Sequence, residues 1–154
     1  MRVVRFGVFE TASSSVHSVT IGSKDRSRWP KEHRGLFHVP GEIRIEGSEF
    51  GWGPETHTDA YTKASYAWTY LLETDQSSGP LRDMLERVLL QGPGVEVVNL
   101  VEPERDRYGM GCYIDHQSLE DGPDCPGARV FEDEDTLAAF VWGNSELEID
   151  NDNH

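Results

Sequence analysis

Long apolar runs are missing from this chain of 154 residues, and so are the cysteine patterns of secreted domains. No segment approaches the roughly 20 consecutive apolar residues that a membrane-spanning helix needs. Two cysteines are too few for a disulfide scaffold, and residues 1–10 lack the apolar core and cleavage site of a signal peptide. We therefore expect a cytoplasmic protein, with a single domain over residues 1–144.

Basic residues are almost absent from the last quarter of the chain. Residues 115–154 hold twelve acids and one base, Arg129, whereas residues 1–114 hold sixteen acids and thirteen bases, so −11 of the net charge of −14 lies in that quarter. Such a charge opposes binding to nucleic acid and to anionic membranes. It favours a basic partner, or it serves solubility alone or adaptation to a salty environment. Residues 145–154 are interpreted as a frayed acidic tail.

Recognisable catalytic and metal-binding motifs are also missing. The chain has no nucleophile-elbow serine, no phosphate-binding glycine loop and no zinc-protease motif. Cys112, His116 and Cys125 are zinc-ligand types, but no Cys-x2-Cys pair accompanies them, so we expect no metal and no cofactor. In the alternative reading the chain is a small enzyme or ligand-binding domain, which uses the loop of residues 51–61 with His57 and Cys112.

The clearest element is a helix over residues 80–91. Pro80 suits the first helical position, and Gly92 with Pro93 ends the element. A β-branched run that begins at Val95 predicts a buried strand after this helix in the sequence. Apolar residues recur with the period of an α-helix at Leu81, Met84, Leu85, Val88 and Leu89.

Short strand-like runs make up much of the remaining chain. Residues 2–10 and 16–21 predict an N-terminal hairpin. Residues 36–39 and 42–46 flank the turn dipeptide Pro40-Gly41, and residues 42–46 alternate as a half-exposed strand does. A further strand is predicted over residues 108–114.

Two segments complete the expected fold. Residues 60–73 fit either a strand, because aromatic residues alternate, or a helix that begins after Asp59, and we favour the strand. Asp133 or Asp135 can cap a short helix over residues 134–142 that ends at Gly143. Together these elements predict an α+β fold, a mainly antiparallel sheet with the helix of residues 80–91 packed on it.

Five basic residues surround Trp29 and Pro30 in residues 23–34, which we call the basic segment. Basic residues beside an aromatic side chain can contact a phosphate or an acidic surface. The simpler interpretation, which we favour, is a solvated loop whose charges balance the protein's own acids.

Charge is the sequence feature with the clearest functional implication. It predicts an acidic, non-enzymatic protein that binds and inhibits a basic macromolecular partner, such as a nuclease or another nucleic-acid-binding protein. Immunity proteins and nucleic-acid mimics, which act in this way, are the functional analogy. We expect no direct binding to nucleic acid or membranes. Tyr113 and Phe131 are candidate aromatic anchors. The predicted contact residues are Glu120, Asp121, Asp124, Glu132, Asp133, Glu134, Asp135 and Trp142.

Overall fold

The computed structural model describes residues 16–51, 54–104, 113–114 and 125–150. This part of the chain forms three small sheets and four α-helices. The strands are β1 (Val16–Thr20), β2 (Phe37–Val39), β3 (Glu42–Glu46), β4 (Glu49–Phe50), β5 (Glu55–His57), β6 (Val97–Val101), β7 (Tyr113–Ile114) and β8 (Glu146–Asp150). The helices are α1 (Ala60–Glu73), α2 (Pro80–Leu90), α3 (Pro126–Val130) and α4 (Glu134–Trp142). The predicted α+β class is therefore confirmed.

Sheet A is antiparallel and has the order β1-β8-β5, with the last of the described strands at its centre. Leu147 and Ile149 of β8 face the core and are almost fully buried. The prediction of a frayed acidic tail is thus wrong for residues 146–150, because the two apolar side chains gain a buried face when this strand pairs on both sides. The first arm of the predicted N-terminal hairpin, residues 2–10, lies outside the described residues.

Sheet B has the order β2-β3-β6 and is mixed. The predicted turn at Pro40-Gly41 joins the antiparallel strands β2 and β3, and Gly41 has φ 82°, a conformation that glycine adopts without strain. β3 and β6 are parallel, as are β4 and β7 in a third, two-stranded sheet. Val97 is 49% exposed, so the run that follows Val95 is not the fully buried strand that we predicted.

Residues 60–73 form helix α1, and the predicted strand is wrong. Asp59 caps this helix, because its Oδ2 accepts a hydrogen bond from the Thr62 N–H at 2.8 Å. Residues 63–72 are all buried, since the helix packs against β3, α2 and α4. A helix buried on most sides carries apolar residues on most sides, and the apparent alternation of its aromatic residues follows from that burial rather than from a strand.

Helices α2 and α4 pack against each other, and both were predicted. Leu85, Val88 and Leu89 of the predicted stripe are fully buried. Gly92 lets the end of α2 approach the last turn of α4, because a Cβ at this position would collide with the ring of Trp142. The Trp142 Nε1–H donates to the Val88 carbonyl at 2.8 Å, which closes this junction. Among the described residues, no helix is both long and apolar enough to cross a bilayer.

A buried lysine joins α1 to the segment between α4 and β8. The Lys63 Nζ donates to the carbonyls of Gly143 and Ser145, each at 3.1 Å, and the residue is 1% exposed. Burial lowers the pKa of Lys63 to about 8, while the carboxylate of Asp59 opposes this shift. The ammonium lies where the carbonyls at the C-terminal end of α4 attract a positive charge.

Candidate functional site

The outer face of sheet A carries carboxylates in the middle of a surface of hydroxyl groups. Glu146 and Glu148 of β8 are exposed, because they alternate with the buried Leu147 and Ile149. Their cross-strand neighbours are Thr20 opposite Glu146, and Ser18 and Thr56 on either side of Glu148. We call this set of Ser18, Thr20, Thr56, Glu146 and Glu148 the acidic sheet face.

Among the residues that the structure describes, none pairs a positive charge with the acidic sheet face. Its two carboxylate-bearing residues are two positions apart on one strand, a separation of about 7 Å. Neither forms an ion pair with any described residue. Small hydroxyl side chains on both flanking strands leave these carboxylates accessible from solvent. The face therefore presents an unneutralised negative charge to an approaching molecule.

Of the four predicted contact acids at the start of α4, two have hydrogen-bond or ion-pair partners within the protein and two have none among the described residues. Asp133 is the helix cap, with the Thr136 N–H donating to its Oδ1 at 2.7 Å, and this hydrogen bonding holds the pKa of Asp133 below its usual range. Glu134 accepts from the Arg87 Nε at 3.0 Å. Glu132 and Asp135 are exposed and have no ion-pair partner in the described part of the chain. Only the second pair is free to meet a partner.

The predicted aromatic anchors lie mainly in the core. Trp142 is 2% exposed and closes the α2–α4 junction, so it offers little surface to a macromolecular partner. Phe131 is buried and stacks on Tyr70, with 6.0 Å between the ring centroids. The side chain of Tyr113 lies outside the described part of the chain, as do the predicted contact residues Glu120, Asp121 and Asp124.

The alternative site around His57 is a cavity of about 130 Å³. The His57 Nε2 lies 3.6 Å from the Glu55 Oε2, too far for a hydrogen bond, and is buried with no hydrogen-bond partner. The nearby Ser65 hydroxyl donates to the Glu46 carbonyl at 2.6 Å, so it is not activated by His57. Cys112 lies outside the described residues. The structure therefore assembles no nucleophile–base pair around His57 in the part of the chain that it describes.

The described part of the chain does not bring together the side chains that we considered as zinc ligands. Cys125 is a buried free thiol at the start of α3, whereas Cys112 and His116 lie outside the described residues. Among the described residues, no group of three histidine, cysteine or acidic side chains is placed to hold a metal ion.

The basic segment contains one internal ion pair and contacts the rest of the protein through Arg26. Arg28 pairs with Asp25 at 3.6 Å within the segment. The Arg26 guanidinium lies over the Trp29 ring, 4.9 Å from its centroid, and its Nη2 donates to the Gln91 Oε1 at 3.0 Å. Gln91 in turn donates to Glu134 at 3.3 Å. The segment is thus tied to the ends of α2 and α4.

Sequence reasoning missed the acidic sheet face, because we assigned its central strand to a tail. The available signal was the alternation of acids with Leu147 and Ile149 in residues 146–150. Comparison of this chain with protein-family models, with characterised proteins and with solved structures gave no match. The surfaces of the chain itself are therefore the basis for a functional proposal.

Proposed function

We propose that this protein is an acidic, non-enzymatic binding protein that engages and inhibits a basic macromolecular partner, such as a nuclease or another nucleic-acid-binding protein. The observation that carries the proposal is the acidic sheet face, where Glu146 and Glu148 stand exposed and form no ion pair within the described part of the chain. A partner that binds nucleic acid presents lysine and arginine in an array that such a face complements. Occupation of that array by this protein would exclude the nucleic acid.

The charge distribution supports fast association more than high affinity. Exposed carboxylates act over about 8 Å at physiological salt, so they guide a cationic surface before contact is made. Each exposed ion pair contributes less than about 1 kcal/mol, and the affinity must come from a few well-packed contacts beside the charges. Hydroxyl side chains at Ser18, Thr20 and Thr56 suit this arrangement, because they let a partner's surface approach the sheet closely.

A second group of acids, at the start of α4, also belongs to the proposal. Glu132 and Asp135 at the start of α4 are exposed and unpaired within the described chain. Glu120, Asp121 and Asp124 belong to the same acid-rich region of the sequence and are part of the proposal. Asp133 and Glu134 hold α4 in place. In this proposal they support the contact surface by fixing the helix and do not contact the partner themselves.

Affinity capture from the native host at low salt tests this proposal. The bait is the parent chain, and the test bait carries Glu146→Gln and Glu148→Gln on the acidic sheet face. The control bait carries Asp83→Asn and Glu96→Gln, which remove the same charge from exposed positions on α2 and beside β6. We expect the parent and control to retain a basic protein that the test bait captures in clearly smaller amount. We also expect the parent to inhibit the binding of nucleic acid by this captured protein.

Equal loss with the test and control baits would contradict a specific face and would leave net charge alone as the cause. Capture that is insensitive to both variants and to salt would contradict the proposal as a whole. A measured turnover that His57→Ala abolishes would replace the binding function by the enzyme alternative.

A further inference from the structure

A cavity of about 380 Å³ lies between the basic segment and the C-terminal ends of α2 and α4. Its volume is in the range of small-molecule sites, which begins at about 300 Å³. The indoles of Trp29 and Trp142 and the prolines Pro30 and Pro93 form much of its wall. Flat apolar walls of this kind suit a planar ring.

His33 completes the aromatic wall. Its ring packs against that of Trp142 in an edge-to-face arrangement, with 5.0 Å between the centroids. Burial and the nearby charge of Lys63 both lower the pKa of His33. The imidazole is therefore neutral at neutral pH, and the positive charge of the cavity comes from other residues.

The two cations that line the cavity have no carboxylate partner among the described residues. Arg26 donates to the neutral amide of Gln91, and Lys31 is exposed and forms no ion pair there. Arg28 of the same segment pairs with Asp25 and does not line the cavity. In a protein of net charge −14, this leaves a local positive site beside an aromatic wall.

The guanidinium of Arg26 is already held in place. It stacks on Trp29, and its partner Gln91 is fixed by Glu134, which also accepts from Arg87 at 3.0 Å. Glu134 forms its ion pair with Arg87 and is not the counter-ion of Arg26. A ligand would therefore meet a positioned cation, which lowers the entropy cost of binding.

We propose that this cavity binds a small planar anion, a heteroaromatic or aromatic ring that carries a phosphate or carboxylate group. The ring lies against the wall formed by Trp29 and Trp142, and the anionic group lies at Arg26 and Lys31. Charge-assisted hydrogen bonds to these two side chains supply selectivity for the anion, and stacking supplies selectivity for the ring. This site is distinct from the acidic sheet face and has the opposite charge.

Titration with four probes, followed by the indole N–H resonances in nitrogen-15 NMR, tests the assignment. AMP has a ring and a phosphate, 2-naphthoate has a ring and a carboxylate, adenosine has only the ring, and inorganic phosphate has only the anion. Trp29→Phe identifies the Trp29 resonance. We expect AMP or 2-naphthoate to shift that resonance and to bind at least about tenfold more tightly than adenosine or phosphate, and the tighter of the two identifies the anionic group.

Variants of the basic segment localise the binding. Arg26→Gln and Lys31→Gln should each weaken the tighter probe by about tenfold. Arg28→Gln removes the same charge from the same segment outside the cavity and should change the affinity by less than about twofold. Absence of millimolar binding by both ring anions, equal binding of adenosine or phosphate, or an equal effect of Arg28→Gln would overturn the proposal.

Discussion

Replacement of Lys63 by methionine should produce a stability loss that grows with pH. The Lys63 ammonium donates to the Gly143 and Ser145 carbonyls, and both carbonyls lose this donor in Lys63→Met. A buried polar group without a partner costs about 1–3 kcal/mol, but removal of a desolvated charge offsets part of this cost at neutral pH, so we expect the loss to be smallest there.

The pH dependence follows from the lowered pKa of Lys63, which is about 8 in the folded protein against 10.5 for a free lysine. Between these two values the unfolded chain binds more protons than the folded chain at this position, so the parent gains stability as the pH rises. The gain from pH 7 to pH 9.5 is about 2 kcal/mol. Lys63→Met lacks this titration, and its deficit relative to the parent should widen by that amount.

Urea unfolding of the parent and Lys63→Met at a series of pH values between 7 and 9.5 measures this difference. Comparison with the variant cancels the contribution of other titrating groups that the two proteins share. Lys24→Met, at an exposed lysine, is the control for the substitution itself, and its difference from the parent should stay nearly constant. A Lys63→Met deficit that stays constant across the series would refute the argument that burial depresses the pKa of this ammonium.

Three further changes test the fold. Leu85→Asp should abolish cooperative unfolding, because it places an unpaired charge at a fully buried position of α2. A circular dichroism spectrum and a melting curve identical to those of the parent would contradict this packing. Leu147→Asp should destabilise the protein by more than about 3 kcal/mol, whereas Glu148→Gln should change the free energy of unfolding by less than about 0.5 kcal/mol. Equal effects of the two variants in chemical denaturation would mean that β8 is not a core strand. Asp133→Ala should cost about 1 kcal/mol through loss of the α4 cap, whereas the neighbouring Asp135→Ala should cost clearly less in the same assay.

The elements that were predictable from sequence are those whose signals are local. Helix α2 has a proline at its start, a glycine after its end and an apolar stripe on one side, so its own residues define it. Helix α4 likewise begins at the cap Asp133 and ends at Gly143. The turn at Gly41 requires a backbone conformation that favours glycine, and the Pro40-Gly41 dipeptide predicted this turn.

The elements that were missed depend on tertiary contacts. The burial of residues 63–72 on several sides of α1 blurs the helical period, so its aromatic residues resembled a strand. Acids dominate residues 145–154 and obscured the two apolar side chains that β8 buries between β1 and β5. The charge of the candidate site was evident from composition, but its placement on sheet A required strand pairings between distant parts of the chain.

The cavity beside the basic segment illustrates the same limit. The pairing of Arg28 with Asp25 is local, and it agrees with a loop that balances its own charges. The contact of Arg26 with Gln91 and the approach of His33 to Trp142 join residues that are far apart in sequence. No local pattern distinguishes Arg26 and Lys31 from the neighbouring bases, so the cavity could be recognised only from the packed helices.

The association rate with the captured basic partner, measured over a series of salt concentrations, tests the central claim most directly. For the parent we predict a rate that falls steeply with added salt, and for the Glu146→Gln, Glu148→Gln variant a rate several-fold lower at low salt with a shallower salt dependence. The Asp83→Asn, Glu96→Gln control should follow the parent closely. Coincident salt curves for the parent and the Glu146→Gln, Glu148→Gln variant would contradict the claim that the acidic sheet face guides the partner.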